Sequence, residues 1–322
     1  MLEIFPTGLA FLFSYKCNFK CRHCSINADP SHKEVIDIDT VKKAIKEASD
    51  IASIQVLVAT GGESTLFPRH LETFLMMAHD FGFTTRVVTN VWWAKSLELA
   101  DRFLSRWKKL GLDELNISFD DFHLEYLRRF GGLNNIKNAV KAAIDNEIKV
   151  VIAIVRSVST SLNAAKVRLL LGDLANYVYT TEDFFAPVGR AGAMADHAVV
   201  NLPKHGGCAE AGSSLSLHPN GDIAYCCGHI INDSDSAWFT RVGNIHHEHL
   251  WDIVERIRKN LLVIAIRVVG PHQIVKYFNS HERVYHMCHA CHLLATKYWE
   301  DLIRLGKAGL LKVVNGVLDN AN

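Results

Sequence analysis

From Leu9 to about Phe185, short apolar runs alternate with longer helical patterns, and this alternation constrains the fold more than any other feature of the chain. Strand-like runs stand at 9–15, 53–59, 84–89, 114–119, 149–155 and 177–185. Helical patterns fill 39–52, 68–81, 95–110, 134–146 and 162–175, the first with Asp39 as N-cap and the second opening on Pro68. Repeated strand–helix–strand units imply a parallel sheet with crossover helices, either doubly wound or closed into a complete or partial barrel. Six units are too few for the full eightfold barrel. In either architecture ligands gather at the C-terminal ends of the strands, so the segments just after each strand are where chemistry is expected.

The pattern changes after PVGRAG at 187–192. Residues 208–292 hold five of the eight cysteines and a hairpin-like SLSLHPNGDIAYCC with an Asn220-Gly221 turn. The expected division is a core at 1–195 and a smaller domain at 196–322, whose tail from Leu293 reads as helical and ends in the polar DNAN. A formal charge of +1, from 35 basic and 34 acidic residues, gives no global field for nucleic acid. Glu3 and the lack of a basic N-terminal region argue against a signal peptide. The most apolar run, LLVIAIRVVG, is about half of membrane-spanning length and contains Arg267. A soluble cytoplasmic protein is expected, without membrane or nucleic-acid partners, and there closely spaced cysteines point to metal or catalysis rather than disulfides.

Directly after the first strand-like run stands Cys17-x3-Cys21-x2-Cys24, with His23 before the last cysteine. Three thiolates on so short a loop can bind three irons of a cubane and leave the fourth iron open. A zinc site or three incidental thiols are the alternatives, although structural zinc prefers four protein ligands and the loop offers three. The spacing resembles the radical S-adenosylmethionine (SAM) superfamily, in which the open iron of a [4Fe–4S] cluster chelates SAM and an electron splits it into methionine and a 5′-deoxyadenosyl radical. The resemblance implies a partial (β/α)6 barrel and a reducing partner such as a flavodoxin or ferredoxin. Gly61-Gly62-Glu63-Ser64, after the second run, resembles the family motif that holds the SAM amino group, with Ser64 in place of the usual proline. By the same resemblance, Asn90, Ser118 and Asp120 lie near SAM or substrate. Turn and cap chemistry would account for these three residue types equally. Trp92, Trp93 and His123 fall at the rim or in the core, and Arg156 and Arg190, each near the end of a late strand, read as carboxylate anchors or, more simply, as ordinary exposed arginines.

Cys208, Cys226, Cys288 and Cys291 resemble the ligands of one auxiliary [4Fe–4S] cluster in a twitch or shortened SPASM extension. Zinc competes here, because a terminal Cys-x2-Cys within HMCHACH also suits that metal. Consecutive strand residues face opposite ways, so Cys226 and Cys227 do not both reach one cluster. Cys227 is left as a hydrogen-atom donor or as a small buried hydrophobe.

The resemblance implies hydrogen abstraction from a peptide during maturation of a ribosomal precursor, by epimerisation through Cys227 or by crosslinking. The same chemistry on an aminoglycoside, nucleoside or other small metabolite stays open, as does a zinc-stabilised binding protein without SAM chemistry. With the cysteine loop beginning at residue 17, no N-terminal leader-binding domain is expected, and leader recognition would fall to the barrel or to a separate protein.

Overall fold

Alternating burial along four of the core strands builds the sheet. A computed structural model describes residues 3–203 and 206–319; the end at 320–322 lies outside them. Six parallel strands lie side by side in chain order: β1 (Gly8–Leu12), β2 (Val56–Thr60), β3 (Thr84–Thr89), β4 (Glu114–Ser118), β5 (Lys149–Arg156) and β6 (Val178–Phe184). Between them run α1 (Ile38–Ser49), α2 (Pro68–Asp80), α3 (Leu97–Lys109), α4 (Asp121–Leu127), α5 (Leu133–Asp145) and α6 (Ala164–Leu171). Leu9, Phe11, Leu57, Ala59, Val87, Leu115, Ile117 and Ile152 are fully buried on the helix-covered face. Their neighbours Gly8, Ala10, Val56, Val58, Arg86, Val88 and Asn116 line a cavity on the other face. One face of the sheet is therefore core, and the other is a hollow into which ligands can be placed.

The helix starts follow capping chemistry with one difference from expectation. Asp37, not Asp39, caps α1: its carboxylate accepts from the Asp39 amide at 2.6 Å, because the cap must be extended and precede the amide it satisfies. Pro68 opens α2 as expected. The helix expected over 162–175 stops at Gly172, whose φ of +63° ends α6 and leads into a 3-10 segment.

Beyond the core, β7 (Ser214–Leu217) pairs in parallel with the free edge of β1, from Gly8↔Ser214 to Phe11↔Leu217. It then turns at Asn220-Gly221 into β8 (Asp222–Ala224), which pairs with β9 (Arg241–Asn244). All nine strands form one sheet, so the C-terminal hairpin extends the core sheet itself. The strand ends at Ala224, which puts Cys226 and Cys227 in the loop after it rather than on it. Helices α7 (Leu250–Arg258), α8 (Leu261–Val268), α9 (Pro271–Phe278), α10 (Met287–Thr296) and α11 (Trp299–Asp319) complete the described chain. Among the described residues no single helix is long and apolar enough to cross a membrane; α8 and α9 pass that test only as a pair bent by 98°. Val263 to Ile266 of α8 are buried within the protein.

Candidate active site

The exit of β1 is the first element of the site. Cys17, Cys21 and Cys24 all line one cavity of about 350 Å³ at the C-terminal ends of the strands. The loop carrying them is pinned from several sides. Phe19 stacks between Tyr126 and Phe130, and the Tyr126 hydroxyl donates to the Lys20 carbonyl at 2.7 Å. Arg190, which sequence reasoning left on the surface, forks onto the carbonyls of Cys21 (3.0 Å), Asn27 (2.9 Å) and Ala28 (3.0 Å) and pairs with Asp29 at 3.5 Å. It clamps the loop rather than meeting a substrate.

The sulfurs sit among amide donors in a dry setting. The Phe19 amide donates to Cys17 Sγ at 3.3 Å, and the amides of Ile26, Asn27 and Ala28 converge on Cys24. Asn27 takes a φ of +56° to do so. Burial pushes the Cys17 thiol up to about 12, with the Glu63 carboxylate adding to it. Burial also raises Cys21 and Cys24. Three converging thiols that cannot ionise unaided, on a loop already offering hydrogen bonds to their sulfurs, suit a cationic iron–sulfur group that would hold them as thiolates.

Gly61 and Gly62 are required by the backbone that carries this loop. A Cβ on Gly61 would come within 2.5 Å of the Ser14 carbonyl, and one on Gly62 within 2.1 Å of the Lys16 carbonyl. The Gly62 and Glu63 amides donate to those same carbonyls at 2.8 and 3.0 Å. Ser64, where the family motif has proline, is buried and ties the turn to β3 through the Val88 carbonyl at 3.1 Å. The Glu63 carboxylate accepts from Thr65 Oγ1 (2.5 Å), Thr89 Oγ1 (2.8 Å) and the amides of Thr65 (3.3 Å) and Asn90 (2.8 Å). Three of these donors crowd Oε1 and one meets Oε2, so Oε2 retains acceptor capacity at the cavity. Burial raises the Glu63 pKa, which a cationic ammonium alongside would counter.

Asn90 and Ser118 line the same cavity; Asp120 does not. The Asp120 carboxylate is wholly buried and caps α4, accepting from the His123 amide and ring (both 2.9 Å) and from the Val155 amide at 3.2 Å. Its contribution is indirect, through His123, which does reach the cavity. Trp93 is packed in the core against Phe103 and Trp107, while Trp92 donates from its indole to Thr65 Oγ1 at 3.0 Å. Arg156 pairs with Glu182 at 3.1 Å and lines neither cavity.

A second cavity, of about 390 Å³, runs along the hollow face of the sheet and shares Thr60, Gly61, Val88 and Cys227 with the first. A third, of about 400 Å³, is lined by Cys208, Cys226, Cys288 and Cys291. Gly228 lets their chains meet: a Cβ there would lie 3.1 Å from Cys288 Sγ and 3.7 Å from Cys226 Sγ. Tyr225 reaches the same space, 2% exposed, with a hydroxyl that has no hydrogen-bond partner among the described residues. Four convergent thiols and one orphaned O–H donor fit an iron–sulfur cluster, whose sulfurs accept hydrogen bonds. His229 stands between the two cysteine sites. Its ring meets Ser25 Oγ at 2.9 Å and its amide donates to Cys288 Sγ at 3.4 Å. Tyr225, Ser25 and His229 escaped sequence reasoning; the signal available was their adjacency to Cys226, Cys24 and Cys227.

Cys227 opens into all three cavities. Its side chain is exposed there, not the small buried hydrophobe that the sequence allowed; desolvation by the cavity walls pushes its thiol up to about 12, Glu210 and Cys288 add to that, and Arg86 works against it.

A parallel β/α sheet whose first strand delivers three cysteines beside a Gly-Gly-Glu turn is the frame of the site. Residues 11–156, a little under half of the chain, match the Radical SAM superfamily. Among curated proteins it is similar to YydG of Bacillus subtilis (strain 168), named for peptide biosynthesis: 21% identity over 259 residues, 79% of this chain and 78% of YydG. The GTP 3′,8-cyclase of Haemophilus ducreyi is 24% identical over 138 residues, 42% of this chain and 39% of the cyclase. Among solved structures, BtrN in complex with AdoMet and 2-DOIA superposes with a TM-score of 0.52 at 13% identity, covering 85% of this chain and 91% of BtrN, a likeness of fold.

Proposed function

We propose that this enzyme modifies a ribosomally made peptide, removing a hydrogen atom from one face of a carbon and returning one from Cys227 to the other, so that an L residue becomes D. Crosslinking is the broader outcome of the same first step. Residues 1–195 would form the SAM core and 196–322 a twitch-like extension. Cys17, Cys21 and Cys24 would hold the SAM-binding cluster, with Gly61, Gly62, Glu63, Asn90 and Ser118 around SAM. Cys208, Cys226, Cys288 and Cys291 would hold the auxiliary cluster. When bound, cluster and SAM supply a 5′-deoxyadenosyl radical that abstracts hydrogen from an unactivated C–H bond.

One observation carries the reading: adjacent cysteines face different cavities, Cys226 toward three other thiols and Cys227 also toward the cavity of Cys17, Cys21 and Cys24. Cys227 is exposed to these cavities, and its S–H bond is weak enough to quench a carbon radical. The sulfur left behind takes one electron from the external reductant and one proton from solvent before the next turnover. YydG, similar over nearly four-fifths of both chains, supports a peptide as substrate. The test is turnover in deuterated water with precursor peptides encoded beside the gene. The expected product carries one deuterium at an inverted α-carbon, and Cys227→Ala still releases 5′-deoxyadenosine while losing label and inversion. Retained inversion refutes the donor, and turnover of a sugar or nucleoside with none of any peptide refutes the substrate class.

A second reading of the C-terminal site is favoured by His229, His286 and Cys288, whose ligand atoms all lie within 4.8 Å of one another and could hold a single zinc. Anaerobic reconstitution separates the two: about eight irons per chain for two cubanes, about four plus one zinc otherwise.

A further inference from the structure

The hollow on the inner face of the sheet runs the length of β1 and β2, from Gly8 and Val56 at one end to Leu12 and Thr60 at the other. Its walls are mostly small and apolar, yet two of its lining residues carry charge, Arg86 and Glu210. Strand register fixes the height of Arg86. It lies level with Ala10, Val58 and Glu114, one inward-facing step before Val88, which also lines the cavity of Cys17, Cys21 and Cys24. Glu114 pairs with Arg86 Nε at 2.5 Å and steadies the side chain, which stays 39% exposed. Its two Nη groups meet no acceptor among the described residues.

Glu210 reaches the same hollow from another side. It stands four residues before β7, whose first residue pairs with Gly8, and its exposed carboxylate has no ion-pair or hydrogen-bond partner among the described residues. In the sheet β2 and β1 separate β3 from β7, three strand spacings or about 14 Å, so the two charges flank the hollow instead of pairing with each other. Cys227 lines that hollow as well, and both charges act on its thiol, in opposite directions.

Polar groups left open in an apolar wall cost energy unless a ligand meets them. The Nη groups require an acceptor and the Glu210 carboxylate requires a donor. A carboxylate ligand would suit Arg86 and oppose Glu210, while an amino sugar would suit Glu210 and oppose Arg86. A peptide unit is neutral, and its carbonyl and N–H point in opposite directions, so it satisfies both flanks at once.

We propose that Arg86 and Glu210 grip a peptide unit adjoining the carbon that reacts, the Arg86 Nη groups donating to its carbonyl and the Glu210 carboxylate accepting its N–H. The inference rests on the peptide reading above and adds the residues that select a peptide backbone. A carbon next to a unit held there lies in the space that Cys227 and the Cys17 loop share, and its side chain is left to the apolar walls.

The experiment uses the full reconstituted enzyme with a synthetic precursor peptide encoded beside the gene, and reads KM, kcat and the ratio of 5′-deoxyadenosine to inverted product. Arg86→Gln/Glu114→Gln removes both charges of the pair, so that no carboxylate is left unbalanced. It should raise KM for the peptide about tenfold or more, as expected for a lost hydrogen bond to a charged group, and release more 5′-deoxyadenosine per product. Arg86→Lys keeps the charge without the planar fork and should fall between the two. Depsipeptides read the other contact directly: each of the two amides adjoining the inverted carbon is replaced in turn by an ester, which deletes one N–H. One ester should raise KM about tenfold on wild type and no further on Glu210→Ala. An unchanged KM in the Arg86 variants, or an ester penalty as large in Glu210→Ala as in wild type, would overturn the assignment. If the double variant fails to hold iron, Arg86→Lys and the ester series decide. A wild type that inverts no peptide would sink the reading beneath, whereas inversion that ignores these substitutions sinks this inference alone.

Discussion

Removing one oxygen from Tyr225 should change stability in opposite directions depending on whether the C-terminal site is loaded. The Tyr225 hydroxyl is buried and without a partner, and the thiols of Cys291, Cys226, Cys208 and Cys288 surround it closely enough that each reinforces the rise in its pKa caused by burial. A buried hydroxyl left unsatisfied costs about 1–3 kcal/mol. Tyr225→Phe should therefore stabilise cluster-free protein by about 1–2 kcal/mol. Where a cluster fills the cavity, the same O–H donates to a sulfur that carries negative charge, and its loss should cost about 1.5–3 kcal/mol. The assay is anaerobic urea unfolding of chelator-stripped and reconstituted protein. With a slope of about 3 kcal/mol per molar, the midpoint should rise by about 0.3–0.7 M in the stripped variant and fall by about 0.5–1 M in the reconstituted one. The reduction potential of the auxiliary cluster should also move negative, because a hydrogen bond to a cluster sulfur favours the reduced state. Shifts of one sign in both forms, with an unmoved potential, would refute the reasoning.

Glu63→Gln removes the charge facing the cavity and sets an amide NH2 against the donors now held by the carboxylate. Loss of a hydrogen bond to a charged group, about 1.5–3 kcal/mol, should weaken SAM binding about 10- to 150-fold while the cysteine loop keeps its iron, as read by equilibrium binding and iron analysis. Unchanged affinity would remove Glu63 from the SAM site. His218, buried between Tyr15 Oη (2.6 Å) and Ser216 Oγ (3.1 Å), has its pKa lowered from 6.5 to about 4 by burial and by Arg241. An unfolded chain binds this proton near 6.5 and the folded one near 4, so the stabilisation is complete above about pH 6.5 and is lost as pH falls toward 4. The gap corresponds to about 3 kcal/mol. Urea midpoints between pH 7 and 4.5 should fall less in His218→Gln than in wild type, and equal slopes would exclude the histidine as the cause.

The core was legible because its physics is local. β2 to β5 alternate buried with more accessible residues, and the cysteine and Gly-Gly-Glu motifs follow short apolar runs that the sequence marks out. What escaped depends on contacts between distant segments. The pairing of Gly8–Phe11 with Ser214–Leu217 joins segments some two hundred residues apart, and no periodicity in either names its partner. Asp37 and Asp39 are equivalent cap candidates by composition, and only the extended backbone at Asp37 separates them. Arg190 looks like any surface arginine until the folded loop brings three carbonyls to its fork. The orphaned hydroxyl of Tyr225 exists only because four cysteines from three segments converge on it.

Strand β1 explains how one sheet can couple two cysteine sites. Its C-terminal end feeds the Cys17 loop, one edge pairs with β2, which delivers Gly61 to Glu63, and the other pairs with β7, whose hairpin leads to Cys226 and Cys227. Both pairings are parallel, so β1, β2 and β7 end together, and antiparallel β8 then carries the chain back along the sheet to Cys226 and Cys227. The reach of Cys227 into the cavity is thus set by backbone hydrogen bonds rather than by a flexible domain contact. Asn232 and His229 then tie the loop after β8 back to the Ile26 carbonyl and the Ser25 hydroxyl. On the proposed reading, a hydrogen donor held this way would keep a fixed position relative to the radical source, and a hydrogen returned to one chosen face of a carbon would require that constancy.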